Sequence, residues 1–205
     1  MIPKRKIPIK VCGITDPVNM AGVAALAPDF MGFIFYTASP RDVTEKINNL
    51  PLDALPASIR KVAVMVNKPL DEAIELTIRF GFDMVQLHGN ESPGYCRKIR
   101  KYAKVVKAFS VDRSLPVQMN KYSGSCDYFL FDTKGIQPGG NGVPFDHAIL
   151  KEYRGTTPYF LSGGIDPEFT IAPGTYPGLF ALDINSRFEI SPGIKDTLLL
   201  EKFLQ

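Results

Sequence analysis

The sequence predicts an α/β protein, a single (β/α)8 or TIM barrel with short loops spanning residues 1–205. Three observations carry that expectation. Eight short, β-rich apolar runs recur with starts twenty to thirty residues apart, the length of a βα unit. Stretches with helix-capping residues lie between several of them. No break in composition divides the chain, and its length sits near the lower end of the roughly 200 to over 400 residues of such barrels.

The first run, IKVCGI (9–14), leads into DPVNMAGVAALA (16–27), where Asp16 is placed to cap a helix and Pro17 to fill its first position. FMGFIF (30–35) and KVAVMV (61–66) follow as strands two and three. KPLDEAIELTIRF (68–80) reads as the next helix, with Pro69 in its first turn and Gly81 just past its end. DMVQLH (83–88) precedes a helix at ESPGYCRKIRKYA (91–103). KVVKAF (104–109) precedes an irregular stretch, 111–125, with weak helical character. YFLFDT (128–133) is followed by the Gly/Pro-rich KGIQPGGNGVP (134–144), read as a mobile loop, and a helix at FDHAILKEY (145–153). YFLSGG (159–164), LFALDI (179–184) and a final helix, KDTLLLEKFL (195–204), complete the alternation.

A doubly wound open sheet competes with the barrel. No GxGxxG follows strand one. Polar residues also alternate inside strands, as Gln86 and His88 do, where a sheet covered on both faces is more uniformly apolar. The barrel is the better fit. The chain starts close to strand one and stops after the last helix, so one free-standing domain is expected.

Composition narrows the function. At 45% hydrophobic and 22% charged residues, the chain has the make-up of an ordinary soluble globular protein. A net charge of +3 with scattered Lys and Arg gives no nucleic-acid footprint. No apolar run reaches the about 18 residues a membrane span needs, and MIPKRKIPIKV lacks the apolar core of a signal peptide. Cys12, Cys96 and Cys126 form no CxxC, and His88 and His147 lie far apart in sequence, so neither disulfides nor a metal site is expected. Free thiols point to the cytoplasm.

In such a barrel the C-terminal ends of the strands surround the active site. Alternation puts Lys10 and Cys12 on one face of strand one, and Tyr128, Leu130 and Asp132 on one face of strand six. If those faces point inward, a thiol and a carboxyl meet at the mouth, a pairing suited to moving protons. Cysteine and aspartate titrate near 8.5 and 3.9 in isolation, so a base Cys12 needs positive charge nearby and an acid Asp132 needs burial. The plainer alternatives are a buried structural cysteine and a helix-capping aspartate. Ser162-Gly163-Gly164 after strand seven and Asn185-Ser186-Arg187 after strand eight occupy the loops that often hold a phosphate. Arg41 offers a guanidinium at the rim. On strand eight Ala181, Asp183 and Asn185 share a face, so Asp183 is expected to pair with the inward Lys10 across the closure, and Lys10 to favour the Cys12 thiolate.

Taken together, KVCGIT, VQLHGNES, FLFDT with GGNGVPFDH, LSGGI, and LDINSRFE with SPGIKD resemble phosphoribosylanthranilate isomerase in order and spacing, over about residues 9–204. The resemblance implies a tryptophan-pathway enzyme performing an Amadori rearrangement, an aldose-to-ketose isomerisation, with no cofactor and a small phosphorylated substrate. It implies Cys12 as general base, Asp132 as general acid and Arg41 beside the anthranilate carboxylate. Gly163, Gly164, Asn185 and Ser186 then hold the phosphate. A homodimer is open, while nucleic-acid and membrane partners are not expected. Two departures stand out. The family's usual Ser-Ser-Gly is Asn185-Ser186-Arg187 here, turning a hydroxyl contact into an amide contact, and its commoner Gly-Gly-Thr-Gly is Gly-Gly-Asn-Gly. The rival readings are another sugar-phosphate barrel enzyme, such as an epimerase or an indole-forming synthase, and a non-catalytic metabolite-binding barrel.

Overall fold

The computed structural model describes residues 7–133, 145–172 and 174–205. Eight parallel strands close in sequence order: β1 (Ile9–Cys12), β2 (Phe30–Phe35), β3 (Arg60–Met65), β4 (Met84–Leu87), β5 (Lys104–Val111), β6 (Tyr128–Thr133), β7 (Tyr159–Leu161) and β8 (Leu179–Ile184). β8 pairs with β1 through Ile9–Leu182, Lys10–Asp183 and Val11–Ile184. The expected barrel is the observed one.

The outer layer is sparer than the sequence suggests. The described residues contain four α-helices: α1 (Pro17–Ala25), α2 (Leu70–Arg79), α3 (Pro93–Ile99) and α4 (Thr197–Leu204). Asp16 caps α1, accepting from the Asn19 N–H at 2.7 Å, and Pro17 opens it. The expected helix at 145–153 is instead a short 3-10 turn, His147–Glu152, capped by Asp146. Six residues do not repay the cost of nucleating an α-helix, and Tyr153 leaves it in an extended conformation with its hydroxyl donating to the Thr157 carbonyl. The irregular 111–125 stretch holds a 3-10 turn at Val117–Tyr122. After β8 the chain forms a small antiparallel hairpin absent from the sequence reading, β9 (Glu189–Ser191) and β10 (Ile194–Lys195). The expected loop at 134–144 lies outside the described residues.

Alternation sorts the core into two shells. Outward strand residues such as Val11, Met31, Val85 and Phe131 pack under the helices and turns. Phe30, Val62, Met84, Val106, Leu130, Phe160 and Ala181 fill the barrel itself. Toward the strand N-termini the rings of Phe30, Tyr128, Phe160 and Phe180 meet, with Phe30–Phe160 at 5.4 Å and Tyr128–Phe180 at 4.6 Å between centroids. This aromatic plug fills the barrel at the end opposite the strand C-termini.

Phe160 is fully buried and touches all three other rings. Phe160→Ala is expected to cost about 3–5 kcal/mol, as for other buried aromatics cut to alanine. Denaturant midpoints measure it; a loss below about 1 kcal/mol, the cost of an ordinary surface change, would show that the plug does not hold the barrel together.

Candidate active site

Cys12 ends β1 at 4% exposure, yet its side chain lines the mouth. Room for it comes from Gly32, its register partner on β2: a Cβ there would sit 2.8 Å from Cys12 Sγ and 3.1 Å from Lys10 Cε. Below Cys12, Lys10 Nζ lies 2.9 and 3.0 Å from the two Asp183 oxygens, the ion pair expected from alternation. Burial is the largest influence and pulls the Lys10 ammonium down, but Asp183 and Cys12 together outweigh it and hold it above its ordinary value. The expected pull of Lys10 on the Cys12 thiol is present but does not set its net direction. Burial pushes the thiol up and Asp183 adds to it, while Lys10 and Lys195 pull the other way without prevailing. The sign of the Lys10 effect is as expected.

Asp132 lines the same cavity from β6, with β7 and β8 lying between it and β1. Its Oδ1 accepts the Thr133 N–H at 2.9 Å, and its Oδ2 lies 3.5 Å from His88 Nε2. Gly163 and Gly164 follow β7 with φ of +79° and +75°, and their N–H groups donate to no described residue. A Cβ on Gly163 would strike Thr133 and come within 2.9 Å of Asp132 Oδ1, so only glycine lets this loop close onto the carboxyl. His147, from the turn after β6, contacts the Gly163 carbonyl at 2.9 Å and braces the loop from behind, between the rings of Phe145 and Phe169.

Asn185 and Ser186, after the neighbouring β8, line the same cavity, which has a volume of about 610 Å³, within the about 300–1,000 Å³ of small-molecule sites. Here two of the expected residues also have protein partners. Asn185 Oδ1 accepts from Lys195 Nζ at 2.7 Å, so that oxygen ties its loop to β10, and the Nδ2 group and the backbone N–H groups are left as donors for an anion. Arg41 lines the rim as expected but is already engaged: Nε lies 2.9 Å from Glu189 Oε1 and Nη2 lies 2.6 Å from Oε2. Lys195 completes the cluster at 2.7 Å from Glu189 Oε1. Burial would raise the Glu189 carboxyl, but Arg41 and Lys195 hold it below its ordinary value. Gly13, at φ +84°, lets the two chains pass: a Cβ would lie 2.8 Å from both Arg41 Cδ and Asn185 Oδ1.

Thus the mouth gathers Cys12, Asp132, Arg41, Gly163, Gly164, Asn185 and Ser186, the full expected set. Sequence reasoning missed Gly32, Glu189 and Lys195. A glycine inside the apolar run FMGFIF signals close approach of a neighbour, and Glu189 and Lys195 flank a Ser-Pro-Gly turn as hairpin partners. Gln86 and His88 also reach the interior, with Gln86 Oε1 2.8 Å from Lys10 Nζ and Gln86 Nε2 3.0 Å from His88 Nδ1. A thiol, a carboxyl, glycine N–H groups with no described partner and a guanidinium at the rim suit a phosphorylated substrate that exchanges protons.

Comparison with known proteins adds four findings. Residues 9–205 match the family model for N-(5'phosphoribosyl)anthranilate (PRA) isomerase. The N-(5'-phosphoribosyl)anthranilate isomerase of Parabacteroides distasonis is 42% identical over 202 residues, covering 96% of this chain and 91% of that protein. The phosphoribosyl anthranilate isomerase structure from Thermotoga maritima superposes with a TM-score of 0.84 at 30% identity, over 97% of each chain. A phosphoribosyl anthranilate isomerase in complex with reduced 1-(o-carboxyphenylamino)-1-deoxyribulose 5-phosphate gives 0.77 at 27% identity, over 97% of this chain and 96% of that one.

Two outcomes follow from the titrating groups. Cys12 alkylation is expected to titrate above the ordinary cysteine range, and higher still in Lys10→Met; an unchanged profile in that variant means that Lys10 has no hold on the thiol. Burial lowers His147 below its ordinary value. Below about pH 6.5 the unfolded chain then binds more protons than the folded one, so stability falls as pH falls toward the native value. His147→Gln keeps a donor for Gly163 and removes that slope; urea midpoints at pH 5 and 7.5 that shift equally in both proteins would contradict it.

Proposed function

The chain belongs to the N-(5'-phosphoribosyl)anthranilate isomerase family, isomerases of tryptophan biosynthesis, and from that premise we propose its mechanism. The substrate is N-(5'-phosphoribosyl)anthranilate and the product 1-(2-carboxyphenylamino)-1-deoxyribulose 5-phosphate. Asp132 is the general acid and Cys12 the general base. The observation that carries this reading is their placement at the ends of β6 and β1 in one mouth, with the glycine-rich loop of β7 and the loop after β8 between them.

In this reading the phosphate lies on the N–H groups of Gly163, Gly164, Asn185 and Ser186, where oriented backbone dipoles favour an anion. The anthranilate carboxylate reaches Arg41 on the edge not taken by Glu189. Asp132 gives its proton to the furanose oxygen, the C1–oxygen bond breaks, and the nitrogen lone pair forms the iminium. The Cys12 thiolate then removes the C2 proton, and the C–H electrons neutralise the iminium as an enolamine. Proton return to C1 and loss of the enol proton give the ketone, so atoms and charge balance across the isomerisation. Because burial keeps Cys12 a thiol at rest, the thiolate forms as a minor species that Lys10 and Lys195 stabilise. Cys12, Cys96 and Cys126 are all free, which supports a cytoplasmic setting where a thiol base stays reduced.

Turnover followed through the fluorescence of the anthranilate group tests the proposal. Cys12→Ala is expected to lower kcat by about 10² to 10⁴, the usual cost of losing a general base. Asp132→Asn keeps the shape without the transferable proton and is expected to lower kcat more than it raises KM. Near wild-type kcat in Cys12→Ala, or a change in KM alone in Asp132→Asn, would overturn the corresponding role.

A further inference from the structure

Gln86 and His88 reach the interior from β4 and have no part in the steps above. Their hydrogen bonds leave a single arrangement of protons. An ammonium only donates, so the atom 2.8 Å from Lys10 Nζ is the Gln86 oxygen. The amide nitrogen of Gln86 is thereby turned to His88 Nδ1, at 3.0 Å. An amide nitrogen also only donates, so Nδ1 accepts, and the one proton of a neutral imidazole lies on Nε2. That nitrogen faces Asp132 Oδ2 at 3.5 Å, while Oδ1 is occupied by the Thr133 N–H.

We propose that His88 is a positioning residue for Asp132, its proton fixed on Nε2 by the chain Asp183–Lys10–Gln86. Two consequences follow, both resting on the isomerase reading for their catalytic meaning. With Nε2 carrying a proton, no lone pair on His88 faces the Asp132 carboxyl. An imidazole with the other tautomer would present a lone pair to the carboxyl and compete for the proton meant for the furanose oxygen. The same nitrogen lies 3.5 Å from the Asp132 oxygen not held by Thr133, so the contact tightens into a hydrogen bond as negative charge develops there. One line of side chains thus joins the lysine beneath the base to the carboxyl of the acid, along the arc of the barrel away from the phosphate cradle.

The test reads the tautomer directly. The sequence has two histidines, so His147→Gln leaves His88 as the single imidazole for long-range ¹H–¹⁵N correlation spectra. The expected result is a pyrrole-type Nε2 and a pyridine-type Nδ1. Adding Gln86→Glu, which offers Nδ1 an acceptor, is expected to put a proton on Nδ1; Gln86→Leu, a fallback if the glutamate variant does not fold, is expected to give a tautomer mixture. A protonated Nδ1 in the His147→Gln protein, or the same tautomer in the Gln86 variant, would overturn the proposal. In turnover of phosphoribosylanthranilate, His88→Leu is expected to lower kcat roughly 10- to 100-fold, the size of one hydrogen bond to a charged group, with little change in KM. His88→Gln, which restores an N–H, should recover most of that loss; equal losses in both would rule out the positioning role. A wild-type protein without turnover would sink the isomerase reading while the tautomer result still decides the proton arrangement.

Discussion

Closure of the sheet between β8 and β1 is the constraint on which the rest depends. The pairing sets Lys10 beside Asp183 and, one residue either side, Ile9 beside Leu182 and Val11 beside Ile184. A slip of one residue would turn every side chain of a strand to the opposite face. Lys10 would leave Asp183, and Val11 and Ile184 would lose their places in the outer shell. Breaking a buried ion pair by removing one partner typically costs about 3–5 kcal/mol, whereas the intact pair adds little net stability over an apolar one. The pair therefore acts chiefly against wrong registers, and it holds Cys12 and Asn185, each two residues further along its strand, at the mouth.

What could be read from the sequence was whatever depends on local period. Strand alternation gave the inward faces of β1, β6 and β8, and with them Cys12, Asp132 and the Lys10–Asp183 pair. Caps gave the start of α1. The misses are non-local or short. Whether FDHAILKEY becomes an α-helix or a 3-10 turn depends on Tyr153 being drawn toward Thr157 and the start of β7, which no period within that stretch records. Arg41 and Glu189 lie far apart in sequence and meet only once the barrel closes, so a rim guanidinium read as free for a ligand proves to be bound on two of its nitrogens. The net direction of the Cys12 shift depends on burial, which strand position alone does not measure.

The charges around the mouth share one design. Lys10 has Asp183, Lys195 has Glu189, and Lys107 on β5 has Glu91 together with the carbonyls of Leu87 and Gly89. Each buried ammonium carries its own carboxylate, as the cost of burying an unpaired ion requires. The three pairs do different work. Lys107 and Glu91 secure the loop after β4, where Glu91 also accepts from the Asn67 and Gly89 N–H groups. Lys195 and Glu189 join the β9–β10 hairpin to Arg41 and Asn185. Lys10 and Asp183 lie inside the barrel itself.

Pairing also decides how the thiol behaves. A lone ammonium beside Cys12 would pull its proton off readily, but an ammonium with a carboxylate bound to it presents a dipole whose field falls off faster than that of a charge. Asp183 accordingly offsets part of what Lys10 does, and burial settles the direction. A thiolate is the reactive form toward oxidants and stray electrophiles, so a site that keeps the thiol protonated at rest limits that chemistry. For the proposed role of Cys12 as base, the cost is that the thiolate must form within the catalytic cycle. Both ammoniums stay close enough to meet the negative charge when it forms, an electrostatic arrangement already in place that needs no side chain to travel.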